Sequence, residues 1–479
     1  MPLLRISDFV IRNFSQVQKN SQRNNMNRYL LVCVSLIVIS MSCQSPGETV
    51  SRKPYQLVTL DPGHFHAALV QKSMYDDVDS VVHVYAPGGA DLQLHLDRIN
   101  NYNTREQEPT HWKEEVYTGP DFFEKMLSGK AGNIVVLSGN NRKKTEYILQ
   151  SLQNGFHVLA DKPMVVDAPN FELLKQAFQT AADKNLLLYD IMTERYEITT
   201  MLQRELSIMP EIFGTLEKGT PDNPAITKES VHHFFKYVSG NILTRPAWFL
   251  DVTQQGEGIV DVMTHLVDLV QWECFPGQVI DTNNIMIHTA RRWTTDMTLK
   301  EFKDITKLDN FPDYLKASVK DPILSVYCNG EINYMLNGVH AKTSVIWNYK
   351  APEGSGDTHY SIMRGSKANL VIRQGAEENY RPALYIEPVT TDANYEQTLK
   401  AQLVPIQARY DGMELKKTAN GWELVIPERY REGHEAHFAR VTEKYLEYLK
   451  VGNMPAWEVP NMIAKYYTTI KGLEKARQQ

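Results

Sequence analysis

From residue 55 the sequence alternates short apolar runs with longer stretches whose apolar residues recur every three or four positions, the periods of strands and amphipathic helices. Strand-like runs fall at 56–60, 81–86, 133–137, 157–160 and 186–189, and helical spacing at 65–74, 92–100, 122–127, 144–153 and 171–182. The unbroken apolar run Ile134-Val135-Val136-Leu137 marks a strand covered on both faces, and Gly155 caps the helix that follows it. Alternation of this kind predicts a parallel, doubly wound, Rossmann-like α/β sheet over 55–189.

Past residue 190 the pattern changes. Helical stretches near 198–207 and 258–273 precede β-branched, alternating segments at 323–327, 331–336, 342–349, 359–363, 369–372 and 384–387, and two helices around 434–450 and 459–476 end the chain. Residues 190–479 are expected to form an α+β domain on a mostly antiparallel open sheet. That sheet is the expected seat of substrate binding and of a homo-oligomer contact.

Ahead of residue 55 lies a third pattern. Residues 29–41 are 13 positions without a charge, preceded by Arg28. That falls short of the roughly 20 residues of a bilayer span and suits the apolar core of a signal peptide. It ends in Ser40-Met41-Ser42-Cys43, which is similar to the lipobox of bacterial lipoproteins. A signal peptide over 1–43, acylation of Cys43 and a polar tether over 44–54 are expected. The protein would then be a periplasmic or cell-surface lipoprotein, held to the membrane by its lipid anchor alone. Met26-Asn27-Arg28 makes a compact start by itself, so Met1 and Met26 both stand as initiation sites.

Composition narrows the function. Apolar residues make up 42% and charged residues 23%, with a net charge of −6. Without the leader the chain carries 46 basic and 56 acidic side chains. Such a balance has no basic footprint for nucleic acid and suits small-molecule chemistry. Cys274 and Cys328 are the cysteines outside the leader; no C-x-x-C occurs, and no metal site is expected.

Three segments carry candidate chemistry. The first strand ends in Asp61-Pro62-Gly63-His64-Phe65-His66, placed as a phosphate turn would be, although a G-x-G-x-x-G match needs glycines at 61, 63 and 66 and only Gly63 is present. The same histidines, two apart, also fit the metal ligands of an amidohydrolase barrel, for which His232-His233 could serve as later ligands, but the rest of the ordered series is not evident. The second segment is strand, Ser138-Gly139-Asn140-Asn141 turn, helix, Gly155, then His157-Val158-Leu159-Ala160-Asp161-Lys162-Pro163. The third is Gly256-x-Gly258 followed by Asp261, Thr264, His265 and Asp268, a polar stripe on an otherwise apolar helix with no Lys, Glu or Arg from 259 to 270.

The second and third segments resemble the Gfo/Idh/MocA family of sugar oxidoreductases. Asn141, Gly155, His157, Val158, Leu159, Lys162 and Pro163 match its motif residue for residue, while Asp161 replaces the family's Glu and Phe249, after Trp248, replaces a basic residue. Glu194-Arg195-Tyr196 is a weaker match to the segment after the last nucleotide-domain strand. The resemblance implies a nicotinamide dinucleotide, NAD favoured and NADP open, because no acidic residue closes the second strand. It implies contacts to the cofactor from Gly63, His64, Phe65, His66, Ser138, Asn140, Asn141, Asp161 and Lys162. It assigns His265 as general base tuned near neutrality, Lys162 as stabiliser of the developing alkoxide, and Asp261 as orienting residue, with Arg195, Tyr196 and Trp248 on the substrate. The expected reaction is oxidoreduction at a sugar or glycoside hydroxyl with a retained cofactor. Transient oxidation with elimination, as in the family's NAD-dependent glycosidases, is an alternative, and a non-catalytic binding lipoprotein is another.

Overall fold

The computed structural model describes residues 53–238 and 241–479. The signal peptide, Cys43 and most of the tether lie outside them.

The N-terminal half is a six-stranded sheet, β1 (Leu57–Leu60), β2 (Val81–Ala86), β3 (Lys113–Thr118), β4 (Ile134–Leu137), β5 (His157–Asp161) and β6 (Leu188–Ile191). Between them run α1 (His66–Val70), α2 (Ala90–Thr104), α3 (Phe122–Gly129), α4 (Lys144–Gln153) and α5 (Ala168–Asp183). All strands are parallel in the order β3-β2-β1-β4-β5-β6. This is the doubly wound order whose ligand crevice opens where strand order reverses, beyond the carboxyl ends of β1 and β4. β1 and β4 are buried at every residue, as their largely apolar runs require, and so is β6, whose Asp190 is answered by Lys465 and Tyr466.

After α6 (Ile198–Ser207) comes β7 (Ile226–Phe235), a short pair β8 (Tyr237–Val238) and β9 (Asn241–Ile242), α7 (Met263–Cys274), β10 (Ile285–Thr298), α8 (Leu299–Thr306), β11 (Val319–Lys320), β12 (Ile323–Leu336) and β13 (Val339–Lys350). Then follow β14 (Thr358–Arg364), β15 (Ala368–Arg373), β16 (Ala383–Pro388), α9 (Tyr395–Arg409), β17 (Glu414–Lys417), β18 (Trp422–Val425), α10 (His434–Val451) and α11 (Glu458–Ala476). The ten-stranded sheet runs β10-β12-β13-β7-β14-β15-β16-β18-β17, with β11 on β12. Only the β13–β7 pair is parallel within it. The segments expected as separate strands at 323–327 and 331–336 are one strand, β12, passing through Gly330. A Cβ at Gly330 would stand 2.2 Å from Ile259, and one at Gly258 would stand 1.9 Å from the Cys328 carbonyl oxygen. These two glycines let the loop ahead of α7 lie directly on the sheet.

The helix expected from 258 begins instead at Met263, with Asp261 in the turn before it. One hydrophobic core joins the two halves, and α10 and α11 return across residue 190 onto the parallel sheet. Tyr445 donates to the Leu187 carbonyl (3.2 Å) and Tyr466 to Asp190 (2.9 Å). Beneath them sits a buried ion network: Arg195 grips Asp268 through two 2.7 Å bonds and Glu458 at 3.0 Å, and Lys465 bridges Asp190 (2.7 Å) and Asp268 (2.9 Å). Neither Cys274 nor Cys328 forms a disulfide, and among the described residues no helix is long and apolar enough to cross a membrane.

Candidate active site

The carboxyl end of β1 delivers His64, Phe65 and His66 to the crevice, and the end of β5 delivers Asp161 and Lys162. The loop ahead of α7 adds Asp261, and the first turn of α7 adds His265. Strands β7 and β13 supply His232 and Trp347, the chain between β9 and α7 supplies Arg245 and Phe249, and α10 begins with His434 and His437. Together these residues wall a cavity of about 550 Å³.

Lys162 donates to Asp261 Oδ1 at 2.8 Å, and Gln255 holds the other carboxylate oxygen at 3.0 Å. Burial alone would lower the Lys162 pKa, but Asp261 and Asp161 outweigh it and keep the ammonium charged. Asp161 accepts from Ser138 Oγ and lies 2.9 Å from His66 Nδ1, while Lys144 donates to its backbone carbonyl at 3.0 Å. Burial would raise that carboxyl; His66, with Lys144 and His64, outweighs it and holds Asp161 well below the usual carboxylate range. His265 departs from expectation: burial and the Lys162 charge push it down to about 3, so it is neutral throughout the physiological range instead of poised near neutrality. Its Nδ1 is buried without a hydrogen-bond partner.

Other expected site residues are placed elsewhere. Asn140 bonds Gln254 (2.6 Å) and Asn141 bonds the Gln255 carbonyl (2.7 Å), so the turn after β4 clamps the loop that carries Asp261 and does not wall the cavity. Ser138 acts through Asp161. Arg195 is consumed by the buried network, and neither it nor Tyr196 reaches the cavity wall. Trp248 lies over the β1 turn, its indole N–H donating to Asp91 at 2.8 Å.

Sequence reading missed His434 and His437, whose i, i+3 spacing at a helix start would have shown a shared face. Glu194, noticed only as part of the Glu194-Arg195-Tyr196 match and given no role, lies 3.4 Å from His434 and on the same wall. Arg245 and Trp347 left no local signal, since distant strands bring them together, and His232 stood out only in the His232-His233 pair, read as ligands of the amidohydrolase alternative. His64, His66 and Asp161 have ligand atoms within 4.8 Å of one another. Direct hydrogen bonding accounts for the closest contact, His66 Nδ1 to Asp161 at 2.9 Å, and His64 Nδ1 accepts the His66 backbone N–H at 3.3 Å. The open parallel sheet excludes the barrel that the amidohydrolase alternative required.

A nicotinamide fits the inner end of the crevice, where Lys162 and His265 line the same cavity beside the aromatic walls of Phe65, Phe249 and Trp347. At the outer end a cleft of about 240 Å³ opens between the β1 and β2 ends beside Gly88. Asp61, which lines that cleft, adopts φ 48° where the fingerprint has its first glycine, and a Cβ on the nearby Gly63 would meet Trp248 at 3.0 Å and Asp91 at 3.2 Å. Burial and the neighbouring Asp91 push the Asp61 carboxyl up to about 6.

The parallel sheet with its crevice, the antiparallel sheet behind it and the Lys–Asp–His cluster between them define a two-part Rossmann-fold oxidoreductase. Residues 63–190 match the model described as "Oxidoreductase family, NAD-binding Rossmann fold", and residues 202–477 match the "Putative oxidoreductase C terminal domain". The chain belongs to the Gfo/Idh/MocA oxidoreductase family, whose cofactor is a nicotinamide dinucleotide. It is similar to a crystal structure described as a putative oxidoreductase from Parabacteroides merdae, with 57% identity over 88% of this chain and 98% of that one and a TM-score of 0.87. Two distant structures share the fold. One is levoglucosan dehydrogenase in complex with NADH and levoglucosan (11% identity, 88% and 97% covered, TM-score 0.56). The other is a 3-ketoreductase from Actinomadura kijaniata in complex with NADP (13%, 88% and 98%, 0.52). No curated protein matches the sequence.

Proposed function

We propose that this protein oxidises or reduces a hydroxyl-bearing carbon of a sugar or glycoside, with its nicotinamide cofactor retained through turnover in an exported, lipid-anchored enzyme. The observation that carries the reading is the convergence of Lys162, Asp261 and His265 on one buried wall. The nicotinamide, when bound, supplies the hydride acceptor. Lys162, kept charged by Asp261, donates to the substrate oxygen and stabilises alkoxide charge as it develops. Asp261 positions Lys162 without touching the reacting atoms. His265 takes the hydroxyl proton, and the acidic Glu194 nearby favours the imidazolium that forms. Trp347 and Phe249 offer flat apolar faces to a sugar ring. The same fold holding NADH and levoglucosan together in levoglucosan dehydrogenase supports this pairing.

Retention follows from the expected export, since free nicotinamide cofactor is scarce outside the cytoplasm. The test is to denature the purified mature protein and identify the released ligand by mass spectrometry, then mix native protein with a panel of sugars and follow reduced-nicotinamide absorbance. Release of no nicotinamide refutes retention; no redox change with any sugar refutes the reaction. A second reading is favoured by the Glu194–His434 pair on the same wall. It offers a second proton acceptor, as oxidation followed by elimination of a glycosidic group requires.

A further inference from the structure

Among the described residues Arg245 is the one deeply buried cation of the cavity wall that no carboxylate contacts directly. It is 4% exposed, and among the described residues no carboxylate oxygen lies within 4.0 Å of its guanidinium. By contrast Lys162 is matched by Asp261, Lys236 by Asp357 at 2.8 Å and Arg381 by Glu428 at 2.7 Å. Its Nε donates to the Phe234 carbonyl (2.9 Å) and its Nη2 to the His233 carbonyl (3.1 Å), while its backbone N–H is tied to Ile305. The guanidinium carbon lies 4.6 Å from the Phe249 ring centre and 5.4 Å from that of Trp347. Carbonyls and ring faces thus fix the plane of the fork and leave Nη1 without a bond to any described residue. A buried charge without a direct ion-pair partner is costly, and a rigid guanidinium fork is the group best shaped to grip a carboxylate with two parallel hydrogen bonds.

We infer that the cavity takes a sugar acid, a uronate or aldonate, and that Arg245 receives its carboxylate while Trp347 and Phe249 pack the ring. A singly charged group is indicated over a phosphate because the lysines of this wall are already neutralised and Asp357 and Asp261 stand close enough to act on Arg245. The inference rests on the proposed function for the sugar but not for the redox step.

The test is isothermal titration of the mature protein with methyl glucuronide, galacturonide and mannuronide, each beside its neutral methyl glycoside and glucose 6-phosphate. At least one uronide is expected to bind about 30-fold or more tightly than its neutral partner, the scale of a buried charge-assisted pair. In Arg245→Met and Arg245→Lys variants that keep the wild-type melting temperature, that preference shrinks to within about threefold for Met and is weakened for Lys, whose point charge lacks the fork. The wild-type comparison stands even where a variant fails to fold. Equal or tighter binding of the neutral sugars, preference for the phosphate, binding of none, or preference surviving in Arg245→Met overturns the assignment. Uronide preference without nicotinamide reduction would leave this inference standing and sink the redox reading; reduction by neutral sugars alone would do the reverse.

Discussion

Replacing Lys162 by Met separates what the lysine does for the fold from what it does for the reaction. In the folded protein its ammonium lies 2.8 Å from Asp261, with side chains 10% and 6% exposed. Removing it leaves the Asp261 carboxylate with the Gln255 amide as its remaining side-chain partner. An uncompensated buried charge of this kind costs about 3–5 kcal/mol. Adding Asp261→Asn removes the stranded charge, and the double variant is expected to recover about 2 kcal/mol or more of that loss, a coupling that a double-mutant cycle in urea measures directly. Activity should not follow. If Lys162 stabilises the alkoxide, both variants lose about 10²–10³-fold in the rate of reduction of the bound nicotinamide, followed by absorbance after mixing with a reactive sugar. Near-wild-type reduction by the double variant, with stability restored, would show that the pair merely holds the wall together.

Other perturbations test other parts of the argument. Arg195→Met should cost about 3–5 kcal/mol in urea unfolding, because Asp268 and Glu458 lose their shared partner, while sugar binding by the folded fraction is unchanged; impaired binding at full stability would return Arg195 to the site. Gly258→Ala should destabilise by at least about 1–3 kcal/mol, since its Cβ would fall 1.9 Å from the Cys328 carbonyl oxygen; an unchanged melting temperature would mean the loop does not lie on β12 as described. His265 stays neutral down to about 3, whereas in the unfolded chain it protonates near 6.5. The unfolded state therefore binds more protons between those values, so stability conferred by the neutral imidazole is lost as pH falls below 6.5. By about pH 5 the loss is about 2 kcal/mol, which His265→Gln should abolish; equal pH slopes for the two proteins would contradict a half-buried, neutral His265. Asp61, raised to about 6, should weaken dinucleotide binding as it ionises, so affinity measured by titration should rise as pH falls through 6 and be flat in Asp61→Asn.

Where the sequence was legible, burial and periodicity agreed. The fully buried strands of the parallel sheet announced themselves as apolar runs, and the Lys162 and His265 segments were readable because motif and local pattern coincided. Three of the strands that escaped notice break a rule for a physical reason. β3, Lys-Glu-Glu-Val-Tyr-Thr, is an edge strand with little to bury. β7 carries Lys228 inward at 0% exposure, balanced by Glu273 at 2.8 Å, so its alternation is disguised by a buried ion pair. β10 changes register between Ile287 and Thr289 and again between Trp293 and Thr295, which scrambles a period of two. α9 contains Pro405 within its span, a residue normally read as a helix stop.

The polar stripe of the third segment shows why a shared helical face does not make a shared site. Asp261 precedes the helix and holds Lys162, His265 enters the cavity, Thr264 donates back to the Val260 carbonyl at 3.0 Å, and Asp268 turns to Arg195 and Lys465. The stripe therefore serves two purposes one turn apart: its first half faces the crevice, and its second half anchors α7 to the chain after β6 and to α11. The anchor has a consequence for the chemistry. His265 can stay neutral and unpartnered only if the helix that carries it is held against solvent, and Asp268 and its two cations, one turn further along, fix that helix against α11. The residues that resemblance would assign to substrate at Arg195 are thus part of what sets the position and protonation state of the base.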